Sequence, residues 1–543
     1  MTVSTKIDVS DIQGFALKGY NFSHARYLLL ELLHPKDAQK FIGQIVKYIT
    51  TGERWDEKPA TTVNIAFTYK GLVKLELPGP TLLSFPVEFQ QGMKARARIL
   101  YDTGKNVPER WDPVWRDNRV HAWLAVNAQT PQALEERCAL LLRIMEETAG
   151  AKLLQAQDAA AVFIDGDTKE HFGFTDGFGN PDFKGAERGC VPGQGKLAKD
   201  GTWEALATGE FLLGYADEAG ELPVAPIPHL LARNGIFMVY RKLHQNVATF
   251  RNYVEEQGRL YPGGKEKLAS KFMGRWRDGT PVELSPDHPD PALVADDNRN
   301  TNFTYGNDLS GQRCPIGAHI RRGNPRDAFG FNGELVNRRR IMRRGMPYGK
   351  YVPEDQPVRD EDEHGIIFIA LNASLFRQFE FIQQQWIEYG NDLHQGNDKD
   401  PVIGNHEGKG KFVVQGTADP QNPPLLCAHL PNFVELRGGD YFFVPSLTAL
   451  QMMASGTVDP REETGSGCRC SRISKALSAG LMRNASNSPM MCWTRSIANW
   501  SRCRVRRCLF STESRHTCSA IPSPSSPSSA GSSPFSLSRT SRW

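Results

Sequence analysis

The chain has 543 residues, and its formal net charge of +4 hides two regions of opposite sign. Residues 461–543 contain twelve Arg, one Lys and three Glu, so residues 1–460 carry a net charge of −6, which argues against nucleic acid as the partner of this body. The sequence contains no apolar stretch of about eighteen residues, so no membrane span is predicted. The N-terminus lacks the basic start and the apolar run of a secretory signal, so none is expected.

The first part of the chain alternates buried strands with amphipathic helices. The hydrophobic pattern predicts strands over 25–33, 62–68 and 122–127, and helices over 37–49 and 131–148. In the last of these helices, apolar residues recur every three or four positions, as expected for a helix with one buried face.

A single carboxylate stands between two glycines in an aromatic stretch. Gly173, Phe174, Thr175, Asp176 and Gly177 follow one another here. Glycine lets the backbone turn sharply and approach a ligand closely. An Asp among Phe rings would be partly withdrawn from water, which tunes its proton affinity. The segment suits a proton-transfer group in a closed pocket, although a surface turn beside core Phe residues explains it equally well.

The second part of the chain repeats the order of the first. Strands are predicted over 235–241 and 365–371, and helices over 246–257 and 374–389. Short strands with longer helices, twice over, predict an α+β protein with two antiparallel sheets. Two similar halves also create a cleft for a cofactor.

Between these strands lies a histidine among small residues, followed by clustered arginines. His319 comes directly after Gly317 and Ala318, and basic residues crowd 321–326 and 338–344. An uncrowded imidazole can bind iron through one nitrogen, and guanidinium groups can pair with carboxylates of a cofactor. For His319 alone, a buried histidine with a satisfied hydrogen bond is the commoner explanation, and the basic run could be a solvated face or a phosphate patch.

Together these segments resemble the dye-decolourising peroxidases, a family of haem b enzymes. The resemblance rests on residues 173–177, 314–326, 341–349 and 368–383, in that order along the chain. It implies two ferredoxin-like halves, each an antiparallel sheet with helices, and a haem cleft formed mainly by the second half. We expect the first half, with the Gly-Phe-Thr-Asp-Gly motif, to span 1–220 and the second to span 221–460.

The resemblance also implies the roles of the site residues. His319 matches the proximal iron ligand, Asp176 the distal acid–base group and Arg343 the distal arginine, for which Arg344 is the near competitor. Glu380 matches the carboxylate that accepts a hydrogen bond from the other His319 nitrogen, although an exposed helix residue is the alternative. Further contacts to one haem b per chain are expected from Phe174, Gly177, Arg322 and Arg326.

The implied activity is reduction of hydrogen peroxide coupled to oxidation of dyes, phenols or other organic donors. A haem-binding or iron-releasing protein on the same scaffold, without peroxidase turnover, is the alternative. The natural donor and the oligomeric state stay open, a homodimer included. No nucleic-acid or membrane partner is expected for the acidic body.

The composition changes after residue 460. Residues 461–543 contain 21 Ser and no Asp, and they lack a periodic apolar pattern, so we predict a disordered tail. Binding of this basic tail to nucleic acid or anionic lipid is the weaker hypothesis. Four widely spaced cysteines, with no metal-type pairing, lie before it and predict unpaired thiols and a cytoplasmic location: Cys138, Cys190, Cys314 and Cys427.

Overall fold

One nine-stranded antiparallel sheet organises the chain. The computed structural model describes residues 7–164, 166–186, 189–416, 421 and 423–461. Apart from Arg461, the predicted tail lies outside these residues. No helix in the described ranges combines the length and the apolar character needed to cross a membrane.

The first half contributes four strands to the sheet. They are β1 (His24–Leu32), β2 (Thr61–Phe67), β3 (Ala122–Ala128) and β4 (Ala151–Ala160). Their order across the sheet is β2, β3, β1, β4, and each neighbouring pair is antiparallel. This is the second-third-first-fourth order of a ferredoxin-like unit, as the sequence predicts.

The second half repeats this order. Its strands are β5 (Ile236–Gln245), β6 (Met342–Arg343), β7 (Met346–Tyr348), β8 (Gly365–Asn372) and β9 (Val434–Val444). Strands β6 and β7 both pair with β8, which is followed across the sheet by β5 and β9. The short β6 and β7 together take the place that β2 has in the first half.

The two predicted sheets are joined at a single residue pair. Phe443 of β9 lies opposite Phe67 of β2, which makes the two sets of strands one continuous sheet. The apolar core is also continuous, since one cluster of buried residues includes Phe41 and Trp123 from the first half and Phe443 from the second. The α+β class is therefore confirmed, with both halves packed around a shared core.

The predicted long helices begin and end close to their expected bounds. They are Pro35–Ile45, Pro131–Thr148 and Val247–Gly258. At the start of the second, the Thr130 side chain accepts the N–H of Ala133, a usual N-cap with proline in the first turn. The other α-helices are Tyr69–Lys74, Gly79–Leu83, Val87–Ala95, Pro113–Arg116, His229–Ala232, Gly264–Met273, Pro291–Val294, Asp297–Asn300, His319–Gly323, Glu334–Asn337 and Leu447–Ser455.

The helix predicted over 374–389 is π-helical. It consists of Leu375–Glu380 and Ile382–Ile387, and the Ser374 side chain caps its start by accepting the N–H of Arg377. π-Helical turns are rare and often lie at functional sites. Three small hairpins complete the strands: Val162–Ile164 with Asp167–Lys169, Lys196–Leu197 with Trp203–Glu204, and Gly410–Val414 with Leu425–Leu430.

Candidate active site

A cavity of about 240 Å³ lies against the second half and is closed on one side by the segment that carries Asp176. Five phenylalanines form much of its wall: Phe172, Phe174, Phe178, Phe368 and Phe379. Its ionisable groups are Asp102, Glu170, Asp176, Arg241, Arg275, His319, Arg343 and Glu388. An aromatic wall with converging charged groups fits a largely apolar cofactor that has acidic substituents.

A larger cavity, of about 610 Å³, adjoins the first and is lined mostly by the first half. The two share Asp176, Phe178, Arg343 and Gly345 in their walls. Groups at this boundary can therefore meet a molecule from either side.

His319 is aimed at the smaller cavity by a bond on its other ring nitrogen. It begins the helix His319–Gly323, and its Nδ1 lies 2.9 Å from Oδ2 of Asp400. The ring borders the cavity. A bond at Nδ1 leaves Nε2 as the nitrogen that can bind a metal, and a carboxylate partner makes the imidazole a stronger donor.

Asp400 is fully buried and held by backbone donors. Its Oδ1 accepts the N–H groups of Val402 and Ile403, both at 2.9 Å. Burial acts to raise the pKa of Asp400, but His319 and the backbone donors outweigh it, so this pKa lies below its ordinary value. Burial likewise acts to lower the pKa of His319, yet Asp400 raises it above the ordinary value.

The prediction that Glu380 is the partner of His319 is wrong. Glu380 binds Arg96 instead, with its Oε1 2.5 Å from Nε and its Oε2 2.6 Å from Nη2. The π-helical segment turns Phe379 to the cavity and the next side chain, Glu380, away from it. Asp400 carries no sequence signal beyond an acidic residue in a loop 81 positions after His319.

The turn before Asp176 is built around a buried carboxylate that the sequence analysis missed. Oε2 of Glu170 accepts the N–H of Phe172, and its Oε1 accepts the N–H of Phe174, both at 2.9 Å. Gln245 of β5 donates to Oε2 at 2.5 Å. Glu170 thus fixes the motif of the first half to a strand of the second.

Glycine is required at two positions of this motif. Gly173 has φ +92° and Gly177 has φ +106°, and a Cβ at Gly173 would lie 2.7 Å from Nη1 of Arg277. Phe174 borders the smaller cavity, whereas Gly177 borders only the larger one. The N–H of Gly177 lies 2.7 Å from Oδ1 of Asp176, so this glycine orients the carboxylate.

Arg343, rather than Arg344, accompanies Asp176. Nη1 of Arg343 lies 3.6 Å from Oδ1 of Asp176, and its Nη2 donates to the carbonyl of Phe178 at 2.5 Å. Both residues border the cavity that holds His319. Arg344 borders only the larger cavity, and its Nε donates to the carbonyl of Phe15.

The polypeptide withdraws Asp176 and Arg343 from water only in part. The Asp176 side chain is 53% exposed, and that of Arg343 is 41% exposed. The reason is their place at the boundary of the two cavities, which keeps one face of the pair open. A carboxylate with one nearby cation and one open face can exchange a proton with a small molecule.

Arg275 is a further cavity residue that the sequence analysis missed. Its Nη1 donates to the carbonyl of Gly279 and to Oδ1 of Asn300, both at 2.5 Å. Among the described residues, no carboxylate pairs with Arg275. Burial, and then the neighbouring Arg326, lower the pKa of Arg275 to about 9. An anionic group in the cavity would favour its charged form, so this site fits a cofactor that carries carboxylates.

Neither Arg322 nor Arg326 lines the smaller cavity, so their predicted contact with the cofactor stays a prediction. Arg322 is fully buried and donates to four backbone carbonyls, those of Gly317, Trp386, Tyr389 and Asp398. Arg326 lies over the ring of Phe303 at 4.0 Å from its centroid. Arg322 thereby ties the His319 segment to the loop of Asp400, which is a positioning role.

Two family profiles match separate parts of the chain. The DyP dimeric alpha+beta barrel domain matches residues 31–157, and the Dyp-type peroxidase C-terminal domain matches residues 230–401. A dye-decolorizing peroxidase of Mycena epipterygia is 30% identical over 489 residues, covering 83% of this chain and 87% of the relative. The chain belongs to the dye-decolourising peroxidase family. It is a hydrogen-peroxide-dependent peroxidase of the dye-decolourising type.

Solved structures of dye-decolourising peroxidases have the same fold. A fungal DyP-type peroxidase from Auricularia auricula-judae superposes with a TM-score of 0.71 at 26% identity, covering 83% of this chain and all of the other. A dye-decolorizing peroxidase in complex with 2,6-dimethoxyphenol also gives 0.71 at 26% identity. Dye-decolourising peroxidases are haem enzymes, and the Nε2 of His319, the aromatic wall and Arg275 fit that cofactor.

Proposed function

We propose that this peroxidase works with one haem b per chain, held in the smaller cavity with His319 as its iron ligand. The proposal rests on two pairs of interacting side chains that contribute to the wall of one cavity. His319 is bound to Asp400, and Asp176 lies beside Arg343. The first pair is a metal donor with its carboxylate, and the second is a proton acceptor with its cation.

When bound, haem would supply a redox-active iron. Such an iron can reduce peroxide and can accept electrons, one at a time, from organic donors. Nε2 of His319 would hold the iron, and Asp400 fixes the ring and would make the imidazole a stronger donor. Arg275 would pair with a propionate, because its guanidinium is buried in the wall and its Nη1 is anchored by Asn300.

Asp176 and Arg343 divide the proton and charge transfers between them. The ionised Asp176 carboxylate takes a proton from one oxygen of hydrogen peroxide and delivers it to the other, which departs as water. Arg343 stabilises the negative charge that develops on the departing oxygen. Its guanidinium is kept in place by the Phe178 carbonyl, so it does not need to move during the transfer.

We further propose that phenolic donors approach through the larger cavity. Its wall joins that of the smaller cavity at Asp176 and Arg343, and it contains the aromatic rings of Phe15, Tyr27 and Trp123. A relative is known in complex with 2,6-dimethoxyphenol. Aromatic walls with a hydrogen-bonding boundary suit a ligand of that class.

A haem carrier without turnover is the alternative function, and the second pair disfavours it. A carrier needs an iron ligand and an apolar pocket, which His319 and the phenylalanines supply. It has no use for a carboxylate and a guanidinium 3.6 Å apart at an open boundary. Peroxide chemistry uses both groups.

The test is an absorption spectrum of the purified protein before and after one equivalent of hydrogen peroxide. We expect a Soret band that changes on addition and returns when a phenol is added. His319→Ala should lose the Soret band, whereas the surface variant His288→Ala should keep it. An unchanged spectrum after peroxide, with haem bound, would favour the carrier.

Compartment and assembly belong to the same proposal. Three buried thiols, those of Cys138, Cys314 and Cys427, support a reducing compartment and hence the cytoplasm. The name of the matching N-terminal profile supports a homodimer. Light scattering of the purified protein would give the oligomeric state, and the acidic body gives no reason to expect a nucleic-acid partner.

A further inference from the structure

A buried phenol and a buried carboxylate are hydrogen-bonded beside the smaller cavity. The Tyr441 hydroxyl, from β9, lies 2.8 Å from Oε1 of Glu380. Both residues are buried, each 1% exposed. Burial, and then the neighbouring Glu380, raise the pKa of Tyr441 well above its ordinary value, so the phenol keeps its proton.

One aromatic ring separates this pair from the cavity. Phe379 borders the cavity, and the ring of Tyr441 meets it edge-on, with 6.2 Å between the centroids. Phe379 and Glu380 are adjacent in the π-helical segment, which presents the first to the cavity and the second to Tyr441. An electron can cross a single ring contact of this kind without any movement of the chain.

The carboxylate is also connected to the surface. Arg96 binds both oxygens of Glu380 through Nε and Nη2, and its Nη1 donates to Oε1 of Gln91 at 2.7 Å. Gln91 is exposed. A proton held by Glu380 therefore lies next to a cation, in a network that reaches solvent.

No other tyrosine among the described residues donates a hydrogen bond to a carboxylate. The hydroxyls of Tyr240 and Tyr348 are buried without a hydrogen-bond partner. Those of Tyr20, Tyr215 and Tyr253 bond to amide or carbonyl oxygens. A phenol that loses an electron becomes strongly acidic, so a nearby base decides which tyrosine can be oxidised inside a protein.

We propose that Tyr441 is a redox-active tyrosine of this enzyme, with Glu380 as its proton acceptor. Tyr441 gives one electron to the oxidised cofactor, the O–H bond breaks, and the proton moves to Oε1 of Glu380. The products are a neutral tyrosyl radical and a protonated Glu380 beside Arg96. An organic donor later returns one electron to Tyr441, and Glu380 returns the proton.

This inference rests on the proposed function, because peroxide bound near Asp176 supplies the oxidising equivalents. It also assigns a role to Glu380, which neither binds His319 nor borders the cavity. Tyr441 would then hold one oxidising equivalent in the buried core beside the cavity until a donor in the cavity returns the electron.

The test is electron paramagnetic resonance of samples frozen shortly after mixing with hydrogen peroxide. The wild-type holoenzyme, made with ring-deuterated tyrosine in a parallel sample, should give a radical signal that narrows on deuteration. Tyr441→Phe should lose this signal and keep the Soret band, since phenylalanine leaves the Arg96–Glu380 pair intact. The matched control is Tyr240→Phe, which removes an unpartnered buried hydroxyl and should retain the signal.

Glu380→Gln tests the proton acceptor separately. The amide cannot take up the proton, so the tyrosyl signal should be lost or much reduced although Tyr441 is present. Retention of the full signal in Tyr441→Phe would overturn the proposal, and so would a wild type that shows the optical change with peroxide but no tyrosyl radical. A wild type with neither response would overturn the proposed function itself, and this inference with it.

Discussion

Two aspartates serve the same cavity from opposite environments. Asp176 is 53% exposed and faces one cation, Arg343, at 3.6 Å. Asp400 is fully buried, and each of its oxygens is hydrogen-bonded. A carboxylate with an open face can gain and lose a proton, whereas a buried one that accepts hydrogen bonds on both oxygens stays a fixed negative charge. The residue type is the same, and the surroundings separate the two tasks.

The first prediction concerns Asp176→Asn. The amide has a similar shape but cannot accept the peroxide proton, so we expect the reaction with hydrogen peroxide to slow by about 10²–10⁴-fold. Haem binding should be unchanged. Stopped-flow absorbance would measure the rate, with Asp167→Asn, in the adjacent hairpin and outside both cavity walls, as the control. A rate within a few-fold of wild type would remove Asp176 from its role.

The second prediction concerns Asp400→Asn. Loss of the negative charge behind His319 makes the imidazole a weaker donor, so the ferric/ferrous potential should rise. Spectroelectrochemistry of the holoenzyme would measure the shift. Glu380→Gln, at the carboxylate that the sequence favours, should leave the potential near the wild-type value. The reverse pattern would restore Glu380 as the partner of His319.

At the scale of elements, the site is assembled by connections rather than by the middle of strands. Asp176 follows a turn held by Glu170, and Arg343 ends the two-residue strand β6. His319 begins a five-residue helix. Each of these elements is short, and each is fixed by hydrogen bonds to a distant part of the chain. Loops on a rigid sheet commonly carry function for this reason.

Gly173→Ala tests the turn as an element. The added Cβ would adopt φ +92° and press on Arg277, so we expect a loss of about 1–3 kcal/mol in the free energy of unfolding. Denaturant titration would measure it. Gly79→Ala is the control, because it lies at a helix start with open space around its Cβ. Equal stability of the two variants would show that the turn tolerates the side chain.

A buried stack of histidines connects the sheet to the motif turn. The rings of His171 and His244 lie on either side of His364, at centroid distances of 5.2 and 5.8 Å. Burial is the main cause that lowers the pKa of His171 to about 4. The fold therefore favours the neutral ring.

This stack predicts an acid-sensitive fold. The stability from neutral His171 is fully present above its ordinary pKa, about 6.5, and is lost as the pH falls through 6.5 towards 4. Thermal unfolding at intervals between pH 7.5 and about 4.5 would show the fall in Tm. His171→Gln keeps a donor to the Tyr348 carbonyl and should flatten this dependence, whereas the surface variant His34→Gln should not.

At the scale of the whole molecule, the two halves share one core and one sheet. Their sheets meet only at Phe67 and Phe443, but the apolar cluster runs across that junction. A half on its own would expose to water the apolar face that the other half covers. The cost in folding free energy grows with that apolar area. The halves are therefore similar in topology without being independent in stability.

We accordingly predict that neither residues 1–220 nor residues 221–460 fold alone. Each expressed half should lack a cooperative thermal transition by circular dichroism, and residues 1–460 should unfold in a single one. Co-expression of both halves should recover folded material. A cooperative melt from either half by itself would contradict this prediction.

Elements with strong periodicity, and residues with an unusual neighbourhood, could be predicted from local sequence alone. Buried strands such as β1 and β8 contain long apolar runs, and Pro131–Thr148 has a clear helical period, so local pattern was enough. His319, Asp176 and Arg343 lie in motifs of small, aromatic or basic residues. No such pattern marks the edge strand β4, which has a mixed polar sequence. The strands β6 and β7 are only two and three residues long, so they show no pattern either.

The hydrogen-bond partners of the site residues follow from the three-dimensional fold. The carboxylate behind His319 is Asp400 and not Glu380, because a π-helical turn directs Glu380 to Tyr441 and Arg96. Arg275 lies in the cavity wall, and Arg322 does not. Hydrogen bonds between residues far apart in the chain depend on where each backbone segment is placed in space, and local composition carries no record of that placement.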